Sequence, residues 1–161
     1  MNLGWLALRE GSADEGFRFL GEGLALTAEL GSWVASAIAY LAVGAALRGD
    51  ATGAALLRGA AERQRETVGE PPISEFRDGT LDRHLAAARA LAGPEAWAEA
   101  FARGKEMTLE EATRYALEFA DSAARSDAAA TRVSSNLLER TAATAGDEHQ
   151  PAATVVVPAL R

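Results

Sequence analysis

The sequence contains no cysteine. This excludes disulfide bonds, cysteine-ligated zinc and thiol catalysis, and it is compatible with the reducing cytoplasm, where we expect the protein. Histidine is nearly as scarce, since His84 and His149 are the only two. Neither lies in a His-x-x-x-His or Glu-x-x-His pattern, whereas a metal site needs several converging ligands. We therefore predict no metal site, and we expect His84 to be a surface or groove residue.

Basic residues are few and scattered. The chain has 16 Lys and Arg against 23 Asp and Glu, for a net charge of −7, and Lys105 is its only lysine. Phosphate binding needs clustered Lys and Arg side chains. We therefore predict no direct nucleic-acid partner.

Long, strongly apolar runs are also lacking. The apolar stretch 1–8 is too short for a signal peptide, and Arg9 and Glu10 follow it at once. The stretch 31–47 is uncharged for 17 residues, which approaches the minimum for a membrane span. Its Ala and Gly make it only weakly hydrophobic, so we predict the innermost helix of a stack and no membrane contact. A membrane span is the alternative.

A repeat is the strongest positive feature. Gly11 and its surroundings recur 38 residues later at Gly49, each time as an apolar run, a basic residue, the glycine and a polar N-cap candidate. Apolar residues make up 48% of the chain and aromatic residues only 6%. Much of the apolar content is alanine, which favours closely packed helices over sheets. The period is typical of helical repeat arrays, which bind partners.

Caps and breakers predict an all-α chain in three parts. Glycine ends a helix at residues 11, 31, 49, 69 and 93, and Pro71-Pro72 is the clearest break. Ser12 and Glu15 form a capping-box pattern, as do Thr108 and Glu111. Ser32 and Asp50 are N-cap candidates. The predicted parts are antiparallel helical hairpins over 1–69, a helical cap over 70–121 with helices at 75–92, 94–103 and 109–120, and a disordered tail over 122–161.

The two copies resemble the tetratricopeptide repeat (TPR). Its Leu-Gly pair, small residues and turn are matched at these positions: Leu3, Gly4, Gly11, Leu41, Gly49, Asp50 and Ala54. Arg58 departs from the pattern, since a large apolar residue is usual there. The period also departs, being 38 residues rather than about 34. The resemblance implies a TPR-like α-solenoid.

A longer succession of segments is more specific. Gly49-Asp50, Pro71-Pro72, the run 97–104 and the run 107–112 occur in the order found in the C-terminal TPR region of large bacterial signalling ATPases, the LuxR-type and cyclase-linked regulators. The resemblance covers residues 3–118. It implies a sensor or assembly segment that is normally preceded by a nucleotide-binding domain and often adjoins a DNA-binding helix-turn-helix.

Neither neighbouring domain is recognisable in the sequence. A P-loop needs Gly-x-x-x-x-Gly-Lys-Ser/Thr, but Gly104-Lys105 is followed by Glu106 and has Glu99 where the first glycine belongs. No helix-turn-helix pattern follows Ala120. We therefore expect a detached end of such a regulator or a stand-alone relative.

Catalytic patterns are missing as well. The carboxylate pairs Glu62/Glu66, Glu95/Glu99 and Glu110/Glu111 are better explained as solvated helix faces, and no Gly-x-Ser-x-Gly elbow is present. We predict no catalytic residues and no cofactor.

Two classes of function remain open. The first is a non-enzymatic module that binds a protein partner or a small effector, with Trp33 and Tyr40 as groove anchors. Core packing is the alternative for both aromatic side chains. The second class is a small-molecule receptor or small enzyme whose site is built from scattered polar residues. The first helix carries Leu3, Trp5, Leu6 and Leu8 without a covering repeat, so we also expect self-association through it.

Overall fold

The computed structural model describes residues 2–69, 71 and 79–147, with the backbone alone for 2, 80, 127, 131 and 135–147. These ranges form seven helices and no strand, which confirms the all-α prediction. The helices are α1 (Asn2–Arg9), α2 (Ala13–Leu30), α3 (Val34–Leu47), α4 (Ala51–Val68), α5 (Thr80–Ala92), α6 (Pro94–Glu106) and α7 (Leu109–Asp147). Two compact units are distinguished, Met1–Asp127 and Ala128–Arg161.

The turn after α1 has the same geometry as the turn after α3. Gly11 and Gly49 both have left-handed backbones, with φ of 85° and 79°, which glycine adopts without a Cβ penalty. Two backbone hydrogen bonds recur with the same spacing: Ser12 N to Ala7 O at 2.9 Å and Asp50 N to Ala45 O at 3.0 Å. The local chain reversal is therefore duplicated along with the sequence.

Two of the four predicted N-caps are formed, at Asp50 and Thr108. The Asp50 carboxylate accepts a hydrogen bond from the Gly53 amide at 2.8 Å, and Thr108 and Glu111 hydrogen-bond each other reciprocally at 2.9 and 3.3 Å. The capping box predicted at Ser12 is absent, because its side chain makes no cap hydrogen bond. The backbone angles of Ser12 are close to those of Asp50.

The core is built around α3. Every residue from Val34 to Ala45 is buried, because α1, α2, α4 and α5 all pack against this helix. The weakly hydrophobic run 31–47 is thus an inner helix, as the sequence predicts. Within the described ranges, no helix has the length and apolar character needed to cross a membrane. Of the repeat-motif residues, Gly4, Leu41 and Ala54 are buried, whereas Leu3 is exposed.

The last helix extends beyond the boundary predicted for the tail. Along α7 the buried residues form one stripe: Ala112, Ala116, Ala120 and Ala123. Phe119 packs edge-on against Phe17 of α2, with ring centroids 5.8 Å apart, and Arg48 Nη1 donates to the Ala123 carbonyl at 3.1 Å. The helix and its buried alanine stripe therefore continue past residue 122, where the tail is predicted to begin, in keeping with the high helix propensity of alanine. The tail prediction for 148–161, and the predicted helix start at 75, lie outside the described residues.

Candidate functional site

A cavity of about 640 Å³ opens in the unit Met1–Asp127. It lies where the C-terminal end of α2, the first turn of α3, the C-terminal half of α4 and the start of α7 meet. Small-molecule sites usually have volumes of about 300–1,000 Å³. The cavity is therefore large enough to enclose most of a small ligand.

Apolar side chains make up most of the wall. Ala28 comes from α2, Val34 and Ala35 from α3, Val68 from α4, and Leu109 and Leu117 from α7. Val68 and Leu109 remain exposed at the mouth. Burial of apolar surface contributes roughly 25 cal/mol per Å², so an apolar ligand that covers these side chains is stabilised.

Trp33 reaches the cavity through an unusual backbone. Its φ is 63°, which makes it the one non-glycine residue in a left-handed conformation among those described. Gly31 ends α2, and the Ser32 amide is tied back to the Thr27 carbonyl at 3.1 Å. Ser32 therefore does not cap α3, contrary to the sequence prediction, and Trp33 occupies the N-cap position. Such a conformation costs about 1–3 kcal/mol and is found most often at functional sites.

The strained backbone leaves the Trp33 indole half exposed, at 50%, where it lines the cavity. A large aromatic side chain with this exposure offers a ligand more contact area than any other residue type. The sequence-based choice of Trp33 as an anchor stays a prediction, but the side chain lies where an anchor is needed.

Gln64 is a buried polar group on the same cavity. Its side chain is 4% exposed, and Nε2 donates to the Met107 carbonyl at 3.1 Å. It also borders a smaller cleft of about 350 Å³ whose wall includes Lys105 and Thr108. Sequence reasoning missed Gln64. The sequence feature that could have pointed to it is its spacing: Gln64 lies three residues after Ala61 and four before Val68, so this amide shares a face of α4 with two apolar side chains.

A charged row on α7 forms one rim. Glu110, Arg114, Glu118 and Asp121 follow one another at intervals of three or four residues, so they share a helix face. All four are exposed. In the part of the chain that the structure describes, none of them forms an ion pair. The rim therefore carries three carboxylates and one guanidinium.

Tyr40 does not reach this cavity. It is 3% exposed, and its ring centroid lies 6.4 Å from that of Trp5. Trp5 in turn contacts His84 edge-on at 5.7 Å. The structure thus brings Tyr40 and Trp5 together in the core, with the half-buried His84 against Trp5, and leaves Trp33 apart from them.

The remaining titratable groups give little indication of catalysis. Burial raises the pKa of Tyr115, and the negative charge of Asp50 raises it further, so the phenol stays protonated at neutral pH and does not serve as a base. Across the described ranges, no three His, Asp or Glu side chains are grouped closely enough to bind a metal ion. The Glu111 carboxylate is occupied by its hydrogen bonds to Thr108.

Comparisons with protein-family models, with curated proteins and with solved structures found no match. The ligand is therefore inferred from the cavity and its surroundings.

Proposed function

We propose that this chain is a non-enzymatic, effector-sensing module whose cavity binds an apolar small molecule. The observation that supports this most is the cavity of about 640 Å³, with apolar walls, a half-exposed Trp33 and a buried amide at Gln64. Ligand sites typically combine a mainly apolar lining with a few fixed polar groups. This cavity has that composition.

The wider setting we propose is a TPR-like α-solenoid of a bacterial signalling ATPase or transcriptional regulator. The resemblance of residues 3–118 supports it. The turn at Gly11 and its repetition 38 residues later at Gly49, with the same backbone hydrogen bonds, adds structural support. In such an array a cavity between neighbouring helices couples ligand binding to the packing of consecutive hairpins.

Binding fits the polar groups of the cavity better than catalysis does. Ser32 and Thr113 supply hydroxyl groups there, but an activated hydroxyl needs an adjacent base. His84 packs against Trp5 instead. The carboxylates of the rim are exposed, whereas catalytic carboxylates work in a cleft that excludes water.

A neutral fluorescent probe, N-phenyl-1-naphthylamine, tests the proposal. Its emission rises in apolar surroundings, so we expect saturable binding with one site per chain and quenching of Trp33 fluorescence. The variant Thr113→Phe places a ring in the cavity, and we expect it to weaken probe binding at least about tenfold, which corresponds to about 1.4 kcal/mol.

Thr52→Phe is the matched control, because it makes the same change at an exposed position on α4 away from the cavity. Circular dichroism verifies that both variants are folded, and Val68→Asp at the mouth serves as a second cavity variant. Absence of saturable probe binding, or equal binding by the Thr113 and Thr52 variants, would contradict the proposal. A P-loop ATPase encoded beside this chain would support the regulator over a stand-alone receptor.

A further inference from the structure

The charged side chains around the cavity favour a ligand of one charge sign. Glu110, Glu118 and Asp121 line its rim on α7, and among the described residues Arg114 is the only basic one in the lining. The excess of carboxylates is not cancelled by ion pairs, since none of the four makes one within the described ranges. Exposed charges are screened by salt but still act over about 8–10 Å at physiological ionic strength.

The helix ends that meet at the cavity do not reverse this balance. The C-terminal ends of α2 and α4 and the N-terminal ends of α3 and α7 line it. Their dipoles correspond to about −0.5 and +0.5 elementary charge, so they largely offset each other. The N-terminal end of α7 is capped by the Glu111 carboxylate. The side chains therefore decide the sign, and it is negative.

We propose that the ligand is an organic cation, an ammonium group carried on an apolar body. This rests on the proposed function and names its ligand class. The apolar body packs between Val34, Val68 and Leu117, and the ammonium lies towards Glu118 and Asp121. Trp33 lines the same cavity, and indole is the side chain that attracts cations best where its ring face is accessible. Arg114 repels a cation, and this repulsion is weakest where the cation lies near the two carboxylates beyond it on α7.

Three ligands with the same alkyl chain test the sign of the charge. Octyltrimethylammonium, octanol and octanoate are each used to displace N-phenyl-1-naphthylamine at low ionic strength. We expect the ammonium to bind about five- to tenfold more tightly than octanol and octanoate to bind more weakly than octanol. The preference should shrink as salt is added, because exposed charges are screened.

Removal of the charges tests their location. The double variant Glu118→Gln/Asp121→Asn should weaken ammonium binding about fivefold and leave octanol binding unchanged. Glu95→Gln/Glu99→Gln on α6 is the control, because it removes two exposed carboxylates that do not line the cavity. Both variants change the net charge of the chain equally, so a difference between them reports the local rim.

The outcomes separate the two proposals. If octanoate binds as tightly as the ammonium, or if the two double variants behave alike, the proposed charge preference is overturned. The proposed effector site then still stands, provided that the probe binds. If neither the probe nor any alkyl ligand binds, both proposals are overturned.

Discussion

Gly59 of α4 and Gly104 of α6 face each other at the point where the two helices cross. A Cβ atom on Gly59 would lie 2.9 Å from the carbonyl carbon of Phe101 and would overlap its oxygen, and one on Gly104 would lie 2.8 Å from the Ala60 amide nitrogen. The two backbones are therefore in direct contact. This close approach fixes α4, which carries Gln64 and Val68 to the cavity.

Gly59→Ala should destabilise the protein by about 1–3 kcal/mol, the range for overpacking of a tight contact. The contact is with backbone, which cannot move aside as a flexible side chain can. Alanine has the better helix propensity by about 1 kcal/mol. A net loss of stability would therefore show that the steric cost of the Cβ exceeds this gain. Urea denaturation followed by circular dichroism measures it.

Gly21→Ala is the matched control within α2. A Cβ there meets only the Ala120 Cβ, at 3.2 Å, so a small shift of α7 relieves the contact. We expect a change in unfolding free energy of less than about 1 kcal/mol. Equal effects of the two substitutions would show that α4 and α6 do not cross as tightly as described.

The stability conferred by Glu62 should depend on pH. The hydrogen bond from Arg65, at 2.6 Å, lowers the pKa of Glu62 most, and the charge of Arg58 lowers it further against the opposing effect of burial. Because the folded-state pKa lies below the unfolded value, the stabilisation is present at neutral pH and is lost as the pH falls through the folded-state pKa. Glu62→Gln should therefore cost about 1 kcal/mol at pH 7 and much less near pH 3.

The exposed pair Arg18 and Glu22 provides the comparison. Their side chains are 50% and 60% exposed and 3.0 Å apart, and exposed pairs contribute about 0–1 kcal/mol. Glu22→Gln should change the unfolding free energy little at either pH. A Glu62→Gln variant whose deficit stays constant between pH 7 and pH 3 would contradict the assigned cause.

Local chemistry explains which parts of the fold the sequence predicts. Gly11, Gly49 and Gly69 end their helices with left-handed backbones, and Pro94 begins α6 directly after Gly93. Each of these signals acts within a few residues, so no knowledge of packing is needed. The capping box at Thr108 belongs to the same group.

One feature that sequence reasoning missed is local: Trp33 takes the N-cap position, and the Ser32 amide is held by the Thr27 carbonyl at the end of α2. The other features depend on distant packing. Ala123 packs in the core beyond the predicted start of the tail, which composition alone does not reveal. The cavity is another of these features, because it brings α7 to the consecutive helices α2, α3 and α4, and Trp33 is the one lining residue that the sequence analysis proposes as a binding anchor.

Self-association through α1 remains a prediction, and the structure shows which side chains of this helix are exposed and so available for it. Leu3 and Leu6 are 66% and 46% exposed, whereas Trp5 and Leu8 are buried in the core. We expect a weak dimer at high micromolar concentration, since two leucines bury little area.

Light scattering should show an increased mass that Leu3→Lys/Leu6→Lys abolishes. The exposed Leu26 and Leu30 of α2, changed to Lys together, are the control. A monomeric mass at all concentrations would contradict the prediction.

Two truncations test where the folded unit ends on α7. Ala123 is buried, and its carbonyl accepts the hydrogen bond from Arg48 at 3.1 Å. A chain ending at residue 121 loses both contacts, and a hydrogen bond from a charged donor contributes about 1.5–3 kcal/mol. Because Arg48 is partly exposed, we expect a loss of about 1 kcal/mol in the unfolding free energy measured by urea denaturation.

A chain ending at residue 127 keeps both contacts, and Arg132, Val133 and Ser134 beyond it are exposed. Its stability should therefore change by less than about 0.5 kcal/mol. Equal stability of the two truncated chains would place the boundary at residue 122 after all, and a large loss on ending at residue 127 would place it further along the helix.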